Sequence, residues 1–232
     1  FTTDEMIVAK NADYWRSDPV TGNKLPYIDK ITFTNIKESS SRQSAIQTGA
    51  VDAAMFSGAS EGKYIQALRK KKGLTEYKSP AEYYPSLWLN QGKPGSPFAN
   101  INARKAVLSC IDRVNWVKAR TKGEGKVSKS LVGPNSVMYT KTGFTKYSVK
   151  TAKKYVAKYK AETGATSLSF TGPSDTSTVS VGNAKFFKTM MAKCGIKYDY
   201  VVEEGAVIIG KTFNPSPSAG SYYNAYDAIS IL

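Results

Sequence analysis

The segment from Pro97 to Arg113 constrains the fold of this chain most, because an extended run breaks there into a helix whose apolar side chains share one face. Over Asn102–Ile111 the residues Ala103, Ala106, Val107, Cys110 and Ile111 recur at i, i+3, i+4, i+7 and i+8. That is the spacing of a core-facing stripe. Asp112 then offers a cap for a successor helix carrying Trp116 and Val117. Strands and helices alternate through most of the remaining length, which argues an α/β domain.

Glu5–Lys10 reads as a strand, and Ile31-Thr32-Phe33 alternates as a half-buried one. Ser39, Ser40 and Ser41 offer N-caps for a short helix closed by Gly49, a residue free to take the left-handed cap conformation. Val51–Phe56 reads as a further strand, a helix follows near Gly62–Lys72, and Leu74–Lys78 and Tyr84–Asn90 read as extended. Residues 122–147 show no periodicity. Ser148 then caps a helix bearing Val149, Ala152, Tyr155, Val156 and Tyr159, closed by Gly164, and Leu168 and Phe170 alternate in the strand beyond. The last helix bears Phe187, Met190, Met191 and Cys194 and ends at Gly195, before Ile196, Tyr198, Tyr200 and Val202 point one way along a strand. No internal repeat or heptad array is visible.

With 232 residues and 41% hydrophobic content, the chain can bury a core as one large or two small domains. No apolar run approaches the roughly 20 residues that cross a bilayer. There is no initiator Met and no signal peptide, and the final residues Ala228–Leu232 read as the middle of a buried strand, so the expectation is a single excised domain spanning 1–232. The net charge of +15 is local: residues 61–164 carry 22 basic and 6 acidic groups, whereas the flanking segments are nearly balanced. This excess sits in Arg69-Lys70-Lys71-Lys72 at a helix end and in Lys150, Lys153, Lys154, Lys158 and Lys160 along another helix. Solvated helix faces account for it, and a basic nucleic-acid or anionic-surface module in 61–164 is the alternative.

Cys110 and Cys194 both occupy apolar helical positions, and the expectation is two buried free thiols rather than a bridge. The chain has no His, so the commonest general base and transition-metal ligand are missing. No nucleophile has a visible base, and no carboxylates are spaced for metal or glycosidase work.

Four segments, taken in order, resemble the family 5 extracellular solute-binding proteins, the oligopeptide and dipeptide receptors of ABC importers. Asn11-Ala12-Asp13-Tyr14-Trp15 with Pro26-Tyr27-Ile28-Asp29-Lys30-Ile31 is similar to the family's opening segment, and Ala45–Ala54 is similar to its helix-to-strand turn. Asn90–Arg113 matches over more than twenty residues and is the most specific. Tyr147–Lys154, Met191–Lys197 and Tyr226-Asp227-Ala228 follow in the family's order. Departures are Asn100, where the family usually has Asp, Asn102 and Ala103 in place of Arg-Val, and an insertion-like loop over Asn214–Ser221. The first two touch caps and helix surface more than ligand.

The resemblance implies one lobe of a type II periplasmic-binding-protein fold, a mixed sheet flanked by helices. It implies a protein that binds a peptide or related small solute and does no chemistry, without cofactor or metal. Its partners would be a second lobe of the same protein and a membrane permease, with no nucleic acid, and its place would be extracytoplasmic, at the periplasm or cell surface, with a lipid anchor as one option. Alternate positions of the extended segment face the cleft in the family, which nominates Tyr84, Ser86 and Trp88 as ligand contacts, with Leu87 and Leu89 toward the core. The Asp that anchors a peptide's amino terminus in relatives would lie beyond Leu232.

Overall fold

Several helices begin at a residue whose side chain caps them. The computed structural model describes residues 4–57, 60–78, 86–127, 130, 132, 136–140, 143–213 and 225–231. The chain divides into two compact units, Phe1–Asp52 and Ala53–Leu232.

In the first unit β1 (Glu5–Ala9) pairs antiparallel with β2 (Lys30–Thr34), in a register running from Glu5 opposite Thr34 to Ala9 opposite Lys30. The strands form as expected, but Ile31 and Phe33 are exposed rather than half-buried. Between them Asp18 closes a turn, accepting from Val20 N at 2.7 Å and from the Tyr27 hydroxyl at 2.7 Å. These bonds, led by Tyr27, hold the Asp18 carboxyl below its usual range. Helix α1 (Ser39–Thr48) is capped at Glu38 rather than at a serine, and it stops at Gly49, whose φ of 75° is left-handed.

The strand expected at Val51–Phe56 does not form; that segment runs as a turn and open loop, and Leu74–Lys78 is likewise irregular. Helix α2 (Gly62–Arg69) lies so close to α4 (Arg113–Thr121) that a Cβ on Gly62 would sit 1.8 Å from the Thr121 carbonyl oxygen. Only glycine permits that approach. Arg69 is taken up entirely by carboxylates: it meets Glu76 at 2.7 Å and Glu124 at 2.6 Å.

The core forms around α3 (Ile101–Cys110), where Ala103, Ala106, Val107 and Cys110 are fully buried as the stripe requires. Asp112 caps α4 through Asn115 N, and Ser148 caps α5 (Val149–Thr163) through Thr151 N, both as expected. Helix α6 (Thr178–Lys193) is the crossover between the parallel strands β4 (Leu168–Ser174) and β5 (Ile196–Val202). Phe170 on β4 meets Phe98 and Tyr198, each with ring centroids 5.0 Å apart, and burial pushes the Tyr198 phenol up to about 12. Short strands β3 (Ser86–Leu89) and β6 (Ala228–Ile231) pair antiparallel, so the unit contains both strand senses. Between β5 and β6 lies a helix that the pattern does not announce, α7 (Gly205–Phe213).

The two cysteines are not free. Cys110 at the end of α3 and Cys194 just past α6 form a disulfide with Cα atoms 6.2 Å apart. Both positions are apolar and buried, as read from the sequence, but the packing of α3 against α6 brings the two helix ends together, and no local pattern records that.

Candidate functional site

Strand β3 sorts its side chains by alternation. Leu87 and Leu89 pack against the core, and Trp88 points the other way with half of its surface exposed, 50%. Ser86 shares the Trp88 side by the two-residue period and accepts a hydrogen bond from the indole Nε1 at 3.1 Å. Opposite Trp88 on β6 stands Ile229, which is buried, so the indole lies over an apolar neighbour rather than free in solvent.

The Trp88 ring also meets Phe213, the last residue of α7, edge to face with centroids 6.5 Å apart. Phe213 is 63% exposed, and Ile209, one turn back on the same helix, is exposed as well. Trp88, Phe213 and Ile209 thus present an apolar and aromatic surface with a polar seam at Ser86. Such a surface can stack on or cover an apolar group of a ligand. Tyr84, the third residue nominated from the sequence, lies outside the described residues, so Ser86 and Trp88 are the two brought together here.

Two polar clasps fix this surface. At the end of β3 the Asn90 amide nitrogen donates to the Asp227 carbonyl at 2.8 Å, and its side chain donates to the Tyr226 carbonyl at 3.1 Å. The Asp227 carboxylate accepts from Lys93 Nζ at 2.7 Å, and from Thr171 N at 2.9 Å and Thr171 Oγ1 at 3.0 Å, tying β3, β4 and β6 at one point. A carboxylate this buried is tolerated because both oxygens accept hydrogen bonds and one of them meets a lysine. Nearby, Lys211 of α7 and the Tyr226 hydroxyl both donate to Glu203. Those donors, Lys211 first, hold the Glu203 carboxyl below its ordinary range, while burial and the Glu203 charge push the Tyr226 phenol up.

Phe213 and the Asp227 clasp were not legible as site residues. Phe213 lies 125 positions beyond Trp88, in a helix with no sequence signature, and Asp227 stands out only as part of the Tyr226-Asp227-Ala228 match. Among the described residues no group of three or more His, Cys, Asp or Glu side chains is placed to hold a metal ion. A small pocket lined by Asp112, Tyr147, Phe186, Met190 and Lys193 lies on other elements and shares none of these residues.

Comparison with known proteins places the chain. It is 32% identical over 163 residues to the oligopeptide-binding protein OppA of Bacillus subtilis (strain 168), covering 68% of this chain and 28% of OppA. Its fold is similar to that of DppA from Helicobacter pylori, solved in complex with the peptide STSA: the TM-score is 0.79 at 22% identity, over 98% of this chain and 40% of that one. It is similar too to the oligopeptide-binding protein AppA from Bacillus subtilis, solved in complex with a nonapeptide, with a TM-score of 0.77 at 19% identity over 100% of this chain and 44% of that one. The chain therefore spans less than half the length of each of these relatives, and its α/β architecture is that of a type II periplasmic binding protein. A family model matches residues 1–227, and the chain belongs to the bacterial extracellular solute-binding proteins, family 5, in their middle segment.

Proposed function

We propose that this chain is one wall of a peptide trap: part of a longer, extracytoplasmic receptor whose second lobe closes over a short peptide and whose closed form is presented to the permease of an ABC importer. The observation that carries the reading is the half-exposed Trp88 ring, set on the strand face away from the core beside Ser86 and Phe213. A ring held at its edges but open on one side is suited to an apolar ligand group, and strand β3 sets its direction by pairing with β6. Support for peptide as the solute class comes from OppA, named for oligopeptides, and from DppA and AppA, each solved with a peptide bound.

The strands β3 and β6 are short, antiparallel and clasped at one end by Asn90 and Asp227. This makes them a stiff margin from which the open face of Trp88 can meet a second wall. Tyr84, Ser86 and Trp88 are the proposed contacts of this lobe. Replacing the indole should cost about 2 kcal/mol of contact, roughly thirtyfold in affinity. Trp88→Ala in the two-lobe receptor, titrated with peptide by calorimetry, is expected to show that loss with the fold intact. An affinity equal to that of the parent would overturn the assignment.

A further inference from the structure

Helix α5 carries its charge in an arrangement that works against its own stability. Ala152 and Val156 are buried against the core, and Lys150, Lys153, Lys154, Lys158 and Lys160 are all exposed, with Lys150, Lys154 and Lys158 on the arc opposite the buried pair and Ala157 and Ala161 beside them. The one acidic residue of the helix, Glu162, stands at the C-terminal end of that arc, and none lies in the first turn. Lys150, Lys154 and Lys158 repeat every fourth position, so each repels the next along one row. Lys150 lies in the first turn, where the helix dipole disfavours a cation, whereas Lys160 in the last turn is favoured by it.

Several cations elsewhere in the second unit are matched by carboxylates. Arg69 is clamped by Glu76 and Glu124, Lys93 by Asp227, Lys188 by Asp199 and Lys211 by Glu203. Among the described residues none of the five α5 lysines forms such an ion pair; Lys158 alone acts electrostatically on a carboxylate, that of Glu162 one turn further along the same row. Three of these lysines thus share one straight row, about 12 Å long from Lys150 to Lys158 at helical rise.

We propose that the outward face of α5 is an electrostatic contact for an anionic phospholipid surface. A straight row of lysines on a convex helix meets a plane of negative headgroups along its whole length, and that plane removes the repulsion the row builds up. The arc has no apolar side chain larger than alanine, so the contact is a reversible, salt-sensitive touch rather than an insertion. Single-stranded nucleic acid fits less well: such partners are held by exposed rings interleaved with charge, whereas Tyr155 and Tyr159 of α5 are both half-buried on the core-facing side. The inference uses family membership only to place the protein outside the cytoplasm, where lipid headgroups are available, and it does not depend on peptide capture.

The test is co-sedimentation of the 232-residue chain with vesicles of mixed phosphatidylglycerol and phosphatidylcholine, against vesicles of phosphatidylcholine alone. Binding is expected only to the anionic vesicles, and it should fall steeply with added salt. Lys150→Glu, Lys154→Glu and Lys158→Glu together should lower the partition by on the order of a hundredfold or more, since each lysine near a charged surface is worth about fivefold. The charge-matched control, Lys70→Glu, Lys71→Glu and Lys72→Glu, should lower it far less. Glutamine at the same three α5 positions should also weaken binding while raising the thermal midpoint, because the row no longer repels itself; this variant serves if the glutamates unfold the helix. Equal losses from the α5 and control triples would show that net charge alone is read and would overturn the proposal. So would equal binding to both vesicle types, or α5-dependent retention of duplex DNA at physiological salt without vesicle binding. Peptide affinity of the two-lobe receptor should be unchanged by the α5 substitutions, so this test and that of the peptide trap can fail separately.

Discussion

Asn100 performs two tasks at once, one as acceptor and one as donor. Its side-chain oxygen caps α3 by accepting from Asn102 N at 2.7 Å, and its Nδ2 donates to Glu162 of α5 at 3.0 Å. Asn102 adds Nδ2 contacts of 2.8 Å to both oxygens of the same carboxylate. An aspartate, the residue the family usually has there, caps equally well but has no hydrogen to give and sets a second negative charge beside Glu162. The departure is therefore coupled to Glu162, whose carboxyl is held below its ordinary value of 4.5, by Asn100 first and Asn102 next. A carboxyl depressed in the folded state stabilises it above the unfolded value, and that contribution disappears as pH falls through the folded one. Asn100→Asp should therefore lower the urea midpoint at neutral pH, and the gap from the parent should close in acid, where both carboxyls are protonated. An unchanged midpoint at neutral pH would contradict this coupling. The cap was legible in the sequence because capping is local; the acceptor was not, because it lies 62 residues away.

At the scale of elements, whatever has a local cause was legible. The α3 stripe, the Asp112 and Ser148 caps and the stops at Gly49, Gly164 and Gly195 all stand where spacing and residue type put them. Helix α7 escaped because Val207, Ile208, Ile209 and Thr212 are β-branched and Gly205 and Gly210 are weak helix formers, so its propensity argues for a strand. Its helical form places Phe213 beside Trp88, which is why half of the aromatic surface was missed. The Cys110–Cys194 bridge is a second long-range fact, closing a span of 84 residues between α3 and α6. A cross-link over such a span stabilises chiefly by restricting the unfolded chain, by about 2–5 kcal/mol. Guanidinium denaturation with and without reductant should show a loss of that size. Coincident curves would mean that packing of α3 on α6 alone holds these elements.

At the scale of the molecule, the chain belongs to the bacterial extracellular solute-binding proteins, family 5. Among the described residues no helix is long and apolar enough to cross a membrane. The order of four motifs carried that identification from the sequence, whereas the ligand surface depends on contacts between β3, α7 and β6 that only the fold creates. If Ser86, Trp88 and Phe213 form one wall, capture needs a second. The most direct test is calorimetric titration of one short peptide into this chain alone and into the longer receptor that contains it. The receptor should bind with micromolar or tighter affinity, and the isolated chain should give no measurable heat of binding. Equal affinity for the two would contradict the claim, because a single wall would then suffice.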